Sequence, residues 1–524
     1  PEGVQTGDRV RVKLAGREYI AVVSRTGVTP DMDIARVRPI EGVEEGLEKV
    51  SPSEIAFWRF ISDYYLCSIG EVYREAYPAT RTQAEKRSPR RKAPSEAAEL
   101  HKKPLNSAEK ASVAEILDSF AGSNSPVLYC SGERRRICLE LSRRALEEGR
   151  SVLLVCAGSA GEYAGEALIY DSSVSATARR DVAAAVRKGR VFVAGGRASV
   201  FLPWTDLGLV IVQDEESPLH SGGLGSLHFN ARDAAVYLAT LHGAKVLLSS
   251  AFPSLETLLN CSAGKYRRTD GAPLTFNAPE IIDTQAEKLK NGMAGSFSYI
   301  LRSGMEKCFA AGGKVLLLLP WKDCRDLEIE ARALFPKAGP RLKVLPLSSF
   351  TESEARKPYS LVALLVSDFL FRGGDFRTDE KALRTLVGLC CRVGELPLVL
   401  QCAAASHPVI QALSSPEAAL NLSAGFLSER SSFGLPPFKR LVEIVFSDNN
   451  EARLSLLSKE LFRELSAKFP VSGGVQLMLG EGRIRILLPR DSALKSNKII
   501  IRDTTDSFCA SRKWLGHLTV VVDP

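Results

Sequence analysis

The sequence predicts a multidomain α/β protein: a small β-rich module, two parallel-sheet α/β domains in tandem, and a small α+β domain at the end. Three observations carry this. Between 105 and 275, short apolar runs (PVLYC at 126–130, SVLLVCA at 151–157, VFVAG at 191–195, LGLVIV at 207–212) alternate with stretches of helical periodicity. Buried strands separated by helices build parallel sheets with crossovers. The alternation then begins again, with a helix at 298–311, KVLLLLP at 314–320, a helix at 323–334, LKVLPL, SLVALLV at 360–366, a helix at 379–392 and PLVLQCA at 397–403. Finally, 437–524 runs LVEIVFS, a helix at 450–468, VQLMLG, GRIRILLP, another helix and LTVVVDP.

In chain order, GDRVRVKLAGREYIAVVSR (7–25) alternates apolar and polar residues about Gly16, the pattern of a β-hairpin. SEIAFWRFISDYYLCSIGEVYREAY (53–77) predicts a helix capped by Ser53, closing a first region at 1–78. Residues 79–104 hold almost no large apolar side chain and cluster Arg87, Arg90, Arg91 and Lys92. They read either as a solvated tether or as a phosphate-binding arm, because clustered cations displace counterions from nucleic acid. The two α/β domains follow at 105–275 and 276–436, with the last domain at 437–524.

Composition narrows the function classes. With 45% hydrophobic and 25% charged residues the chain is globular. No apolar run approaches the ~20 residues that span a bilayer, so no membrane role is expected and the cytoplasm is the expected location. The 11 cysteines include one adjacent pair, Cys390 and Cys391, and no C-x-x-C, the usage of a reducing compartment with neither zinc framework nor disulfide scaffold. A net charge of +8 is compatible with nucleic acid without requiring it. The chain starts at Pro1 and not at Met, which suggests that it begins inside a longer gene product.

Specific motifs carry a resemblance. GRASVFLPWTDLGLVIVQDEES (196–217), ARDAAVYLA (231–239) and LLSSAFPSLET (247–257) stand in one order with SDYYLCSIGEVYREAYP (62–78), HPVIQA (407–412), ERSSFGLPPFKRLVEIVFSD (429–448) and the terminal VVVDP. This set resembles the bacterial replication-restart family PriA, primosomal protein N-prime, over nearly the whole chain. The resemblance implies a 3′-end DNA-binding domain at the N-terminus and two RecA-like helicase domains, the tandem layout of helicase motors. It implies nucleoid-associated work on branched or forked DNA, with other primosome proteins and single-stranded-DNA-binding protein as partners. Gly16 matches the pocket glycine for a DNA 3′ terminus and Arg36 falls near its basic residue, while the pocket aspartate lies upstream of Pro1. A plain hairpin turn explains Gly16 equally well. Arg197 stands in the segment resembling the family's Gly-Thr-Arg-Ser-Ala motif and, with Arg90, Arg91 and Lys92, completes the expected DNA contacts.

The departures bear on chemistry. In VLYCSGERRRICLELSRRAL (127–146), Leu128, Glu133, Arg134 and Arg135 stand where the family's phosphate-binding loop has Gly, Gly, Lys and Thr, and Gly132 is kept between the first two. A carboxylate against a polyphosphate at ~4 Å is repelled by about 1 kcal/mol even with water-like screening. Arginine lacks the compact ammonium, and Arg135 cannot hold Mg²⁺. The family's Asp-Glu-x-His motif falls on Gln213-Asp214-Glu215-Glu216, or after a one-residue slip on Asp214-Glu215-Glu216-Ser217. Arg392 and Gly394 keep part of an arginine motif whose other members are replaced by Gly388, Cys391 and Glu395. Only Trp321 to Arg325, with Cys324 alone, occupy the place of the zinc module, and 79–104 leave no room for a winged helix.

No metal, no zinc and no working ATP/Mg²⁺ site are therefore expected. The reading that follows is a DNA-binding restart factor whose motor is inactive. Two alternatives stay open: an ATP-dependent helicase with a noncanonical nucleotide site, and a primosome scaffold with weak DNA contact.

Overall fold

The computed structural model describes residues 3–14, 16–30, 33–78, 104–224, 227–470, 473–512 and 517–524. The basic cluster Arg90, Arg91 and Lys92 lies outside the described residues. The chain forms two compact units, one made of Pro1–Gly271 with Arg430–Pro524 and the other of Ala272–Glu429.

The first unit opens with the hairpin Arg9–Leu14 and Arg17–Val22, antiparallel about Gly16, with Gly42–Val43 on the other side of its first strand. The stretch expected as one helix capped by Ser53 is two helices, Pro52–Tyr65 and Ile69–Ala76. Leu66 turns into the left-handed region (φ 57°) between them, and each helix starts on its own capping box, Ser51 with Glu54 and Ser68 with Glu71. The S-x-x-E spacing of both pairs is the sequence signal for this break.

A seven-stranded, wholly parallel sheet follows. From edge to edge its strands are Arg267–Asp270, Val127–Cys130, Lys245–Ser250, Leu207–Gln213, Ser151–Val155, Phe192–Gly195 and Leu168–Tyr170. Both edge strands escaped the sequence pattern, being short or polar, as did the hairpin Ser221–Leu224 with Leu227–Asn230. One sheet face packs on Ser107–Phe120 and Arg135–Glu147 through Val113, Ile116, Ile137 and Leu141.

The other face shares one continuous core with Pro52–Tyr65, Ile69–Ala76 and the C-terminal sheet. That last sheet is antiparallel, in the order Gln476–Gly480, Arg483–Pro489, Lys439–Ser447 and His517–Val522, with helices Glu451–Lys468 and Leu494–Ser511. Polar ties reinforce the junction: the Arg440 guanidinium lies 4.4 Å over the Tyr64 ring and 2.7 Å from Asp523, and Lys498 Nζ donates to the Tyr64 carbonyl at 2.6 Å. On the N-terminal side, Arg187 donates to the Tyr77 hydroxyl at 2.6 Å, and that hydroxyl donates to Glu54 at 2.7 Å.

The second unit holds a five-stranded parallel sheet in the order Glu280–Asp283, Leu398–Cys402, Leu361–Leu364, Val315–Leu319, Leu342–Pro346. Helices Tyr299–Ala310, Arg325–Leu334 and Thr378–Val393 cross between strands. The molecule is thus a multidomain α/β protein with two parallel sheets. Among the described residues, no helix is long and apolar enough to cross a membrane.

The shared core makes a direct prediction. Ile61, fully buried where the first helix meets the sheet, should cost about 2–5 kcal/mol when replaced by Ala, read by urea unfolding. Leu14→Ala, at a position 64% exposed, should cost less than about 0.5 kcal/mol.

Candidate functional site

The carboxyl ends of a parallel sheet are where ligands of such folds bind, and two of the central strands end here on charged sequence. Val127–Cys130 runs into the four-residue loop Ser131 to Arg134 and then the helix Arg135–Glu147. Leu128 sits in mid-strand, fully buried and paired in register with Leu248 and Arg268. The place of the first motif glycine is therefore core strand. The loop is braced internally: the Ser131 hydroxyl donates to the Glu133 carbonyl at 3.0 Å and accepts from the Glu133 N–H at 3.2 Å. Gly132 and Glu133 are exposed.

Arg134 folds back over this loop. Its guanidinium donates to the Ser131 carbonyl at 2.7 Å and forms an ion pair with Asp214, which follows the strand Leu207–Gln213. Asp214 adopts φ 48°, a left-handed conformation that turns the chain sharply off the strand end. Of the two registers left open by the sequence, it is Asp214 and not Gln213 that reaches the loop. The Gln213 amide oxygen instead accepts from the Tyr163 hydroxyl at 3.0 Å.

The neighbouring arginines also face protein groups. Arg135 donates to both Glu166 carboxylate oxygens at 3.0 and 2.8 Å, to the Glu162 carbonyl at 3.0 Å, and lies over the Tyr163 ring. Arg136 pairs with Glu109 at 2.7 Å. Arg134, Arg135 and Arg136, at and just before the helix start, are thus each met by the chain's own acceptors.

Glu215 is 1% exposed, and four donors converge on its carboxylate. They are Arg232 Nη1 at 3.0 Å, the Ser254 N–H at 2.7 Å, the Ser254 hydroxyl at 2.8 Å and the Thr257 hydroxyl at 2.8 Å. Sequence reasoning missed this knot, although Arg232, Ser254 and Thr257 all stand in the motif segments ARDAAVYLA and LLSSAFPSLET. A buried carboxylate needs such donors, and so Glu215 ties the strand end to two helix starts.

Glu216 is different. Its carboxyl tip is buried, with Oε2 unbonded among the described residues. Burial first, then the charges of Asp214 and Glu215, push its pKa up to about 8. It therefore holds a proton at neutral pH. Buried His220, whose Nε2 lies 2.8 Å from the Gln213 carbonyl, is shifted down by burial and stays neutral.

The remaining expected site residues lie apart from this cluster. Gly16 makes the exposed hairpin turn at φ 77°, and Arg36 ends the exposed 3-10 turn Ile34–Arg36. Arg197 donates to the Ser221 and Gly223 carbonyls at 3.1 and 2.9 Å, holding the Ser221–Leu224 strand. Arg392 is near the end of Thr378–Val393 in the other unit.

Residues 2–78 match the PriA 3′DNA-binding domain family (3′BD). The chain is similar to the replication restart proteins PriA. With PriA of Rickettsia felis it is 26% identical over 304 residues, 54% of this chain and 45% of that protein. With PriA of Rickettsia conorii it is 35% identical over 129 residues, 24% of this chain and 20% of that one. With PriA of Bacillus subtilis it is 24% identical over 235 residues, 41% and 29% of the two chains. The chain thus spans about half the length of the first of these PriA relatives. Among solved structures, the DUF1998 helicase MrfA bound to DNA superposes at a TM-score of 0.38 and 12% identity, over 77% of this chain and 59% of that one, too loosely to carry an argument.

Glu216 sets a pH signature. Its pKa is raised from 4.5 to about 8 on folding, so across that window the folded state keeps a proton the unfolded chain releases, and this contribution to stability is lost as pH rises. His220 opposes it only below its ordinary value of 6.5, where the unfolded chain takes up the proton. Between pH 7 and pH 8 the glutamate acts without that opposition. Urea unfolding should show Glu216→Gln gaining on the parent as pH rises across that interval, at up to about 1.4 kcal/mol per pH unit. A parent and variant with parallel profiles would contradict the assignment.

Proposed function

We propose that this chain is a PriA-like replication restart factor that grips branched or forked DNA and does not turn over ATP. One observation carries the motor half of this reading: Arg134 and Asp214 satisfy each other across the loop where a triphosphate and its Mg²⁺ would lie. In nucleotide-hydrolysing domains of this architecture, loop backbone N–H groups and a Lys cradle the phosphates while a strand-end Asp holds the metal. Here the loop is short and bonded to itself, and its Arg134 is paired with the strand-end Asp214. An incoming triphosphate would have to separate the pair and then lie beside an uncovered carboxylate.

The DNA half rests on the 3′DNA-binding domain match at 2–78, on the PriA relatives and on the net charge of +8. Gly16 and Arg36 are exposed and available in that domain. Other primosome proteins and single-stranded-DNA-binding protein are the partners this role calls for, at the cytoplasmic nucleoid.

Two measurements on the full chain test it. With forked DNA and Mg²⁺, ATP turnover should stay at the level of a protein-free control. Fork binding should be measurable at low salt and fall about 10-fold or more between about 50 and about 200 mM salt, because phosphate contacts release counterions. Fork-stimulated hydrolysis would overturn the silent motor, and no fork binding at low salt would overturn the DNA role.

A further inference from the structure

The second unit carries a feature that the restart reading leaves unused. In its sheet the chain leaves Val315–Leu319, adds Leu342–Pro346 on one side, and returns to add Leu361–Leu364 on the other. The order reverses between Val315–Leu319 and Leu361–Leu364, and the crevice beyond the carboxyl ends of strands at such a reversal is the favoured ligand position in open α/β sheets.

Aromatic side chains stand there. Trp321, two residues past the first strand, meets Phe369 at a ring-centroid distance of 5.1 Å and an interplanar angle of 71°. Phe369 is 43% exposed, so part of its ring is open to solvent. It is carried on the 3-10 turn Ser367–Phe371, which Val366 enters at φ 53°. A β-branched residue in the left-handed region is strained, and such strain gathers at functional positions. Past the next strand, Leu398–Cys402, His407 stacks on Phe371 at 4.3 Å and 21°. Arg372, exposed, places its guanidinium 5.9 Å from the Phe369 centroid and pairs with Asp368 at 3.3 Å. Lys322, beside Trp321, is exposed as well.

We propose that Trp321, Phe369 and Arg372 form a stacking site for an unpaired nucleobase, with Lys322 and Arg372 reaching the adjoining phosphates of a single strand. The chemistry is that of sequence-tolerant single-strand binding, in which bases stack on aromatic faces and cations follow the backbone. It needs no nucleotide turnover, and so a silent motor keeps a grip on the displaced strand. The inference rests on the DNA-binding reading above and adds to it a specific position and a specific interaction.

The test uses the full chain and a fluorescent oligothymidylate of about 12 residues, with an oligomer of equal length that lacks bases and with free thymidine monophosphate. Stacking on one aromatic ring predicts that Phe369→Leu weakens oligothymidylate binding about 10-fold, whereas Phe369→Tyr binds as the parent. Loss of the bases should weaken the parent similarly and leave Phe369→Leu almost unchanged. The mononucleotide should bind far more weakly than the oligomer. Equal binding of parent and Phe369→Leu, with fork binding intact, would overturn the site and spare the restart reading. Equal affinity for mononucleotide and oligomer would reassign the site to a free nucleotide and overturn the strand proposal. Absence of any DNA binding by the parent would remove both readings together.

Discussion

Asp214 is a carboxylate at the end of a central buried strand, on a backbone turned to φ 48°, with two more acids directly after it. Three such groups cannot all be ionised at close quarters in a partly buried place without a cation among them. In a nucleotide-hydrolysing domain that cation is a metal carried in with the triphosphate. Here Arg134 supplies it from the facing loop, Glu216 stays protonated, and Glu215 is drawn away into four hydrogen bonds. The local charge is thus settled within the protein, before any ligand arrives.

The rest of the first unit is organised around keeping that strand end in place. The Glu215 knot joins it to the starts of Ala231–His242 and Leu255–Ser262, so these two segments keep their packing whatever becomes of ATP chemistry. Behind the sheet, one core runs through Pro52–Tyr65 into the C-terminal antiparallel sheet. The regions that read as separate domains at 1–78, 105–275 and 437–524 therefore fall within a single compact unit, and a loss of packing at Ile61 acts on all three.

Much of this was legible in the sequence, and the exceptions have physical reasons. Fully buried strands such as Ser151–Val155 and Val315–Leu319 announce themselves as unbroken apolar runs, because both faces are covered. Edge strands lack that requirement: Arg267–Asp270 reads RRTD and has no apolar signature. The break at Leu66 was hidden because the apolar spacing continues through it, while the second capping box, Ser68 with Glu71, marked it in plain letters. At the site, the motif comparison identified Arg134 and Asp214 separately, yet their pairing depends on a loop 80 residues away in the chain and on the left-handed turn at Asp214. Neither is written in local pattern. The Trp321 and Phe369 contact was equally invisible, since the two rings come from different strand ends.

The silence of the motor turns on the loop after Val127–Cys130 being closed by its own residues. A crystal structure grown with Mg²⁺ and a nonhydrolysable ATP analogue addresses it most directly. In it Arg134 should remain on Asp214, with no triphosphate against Gly132 to Arg135. Phosphates seated on that loop, with a metal at Asp214 and Arg134 turned aside, would contradict it.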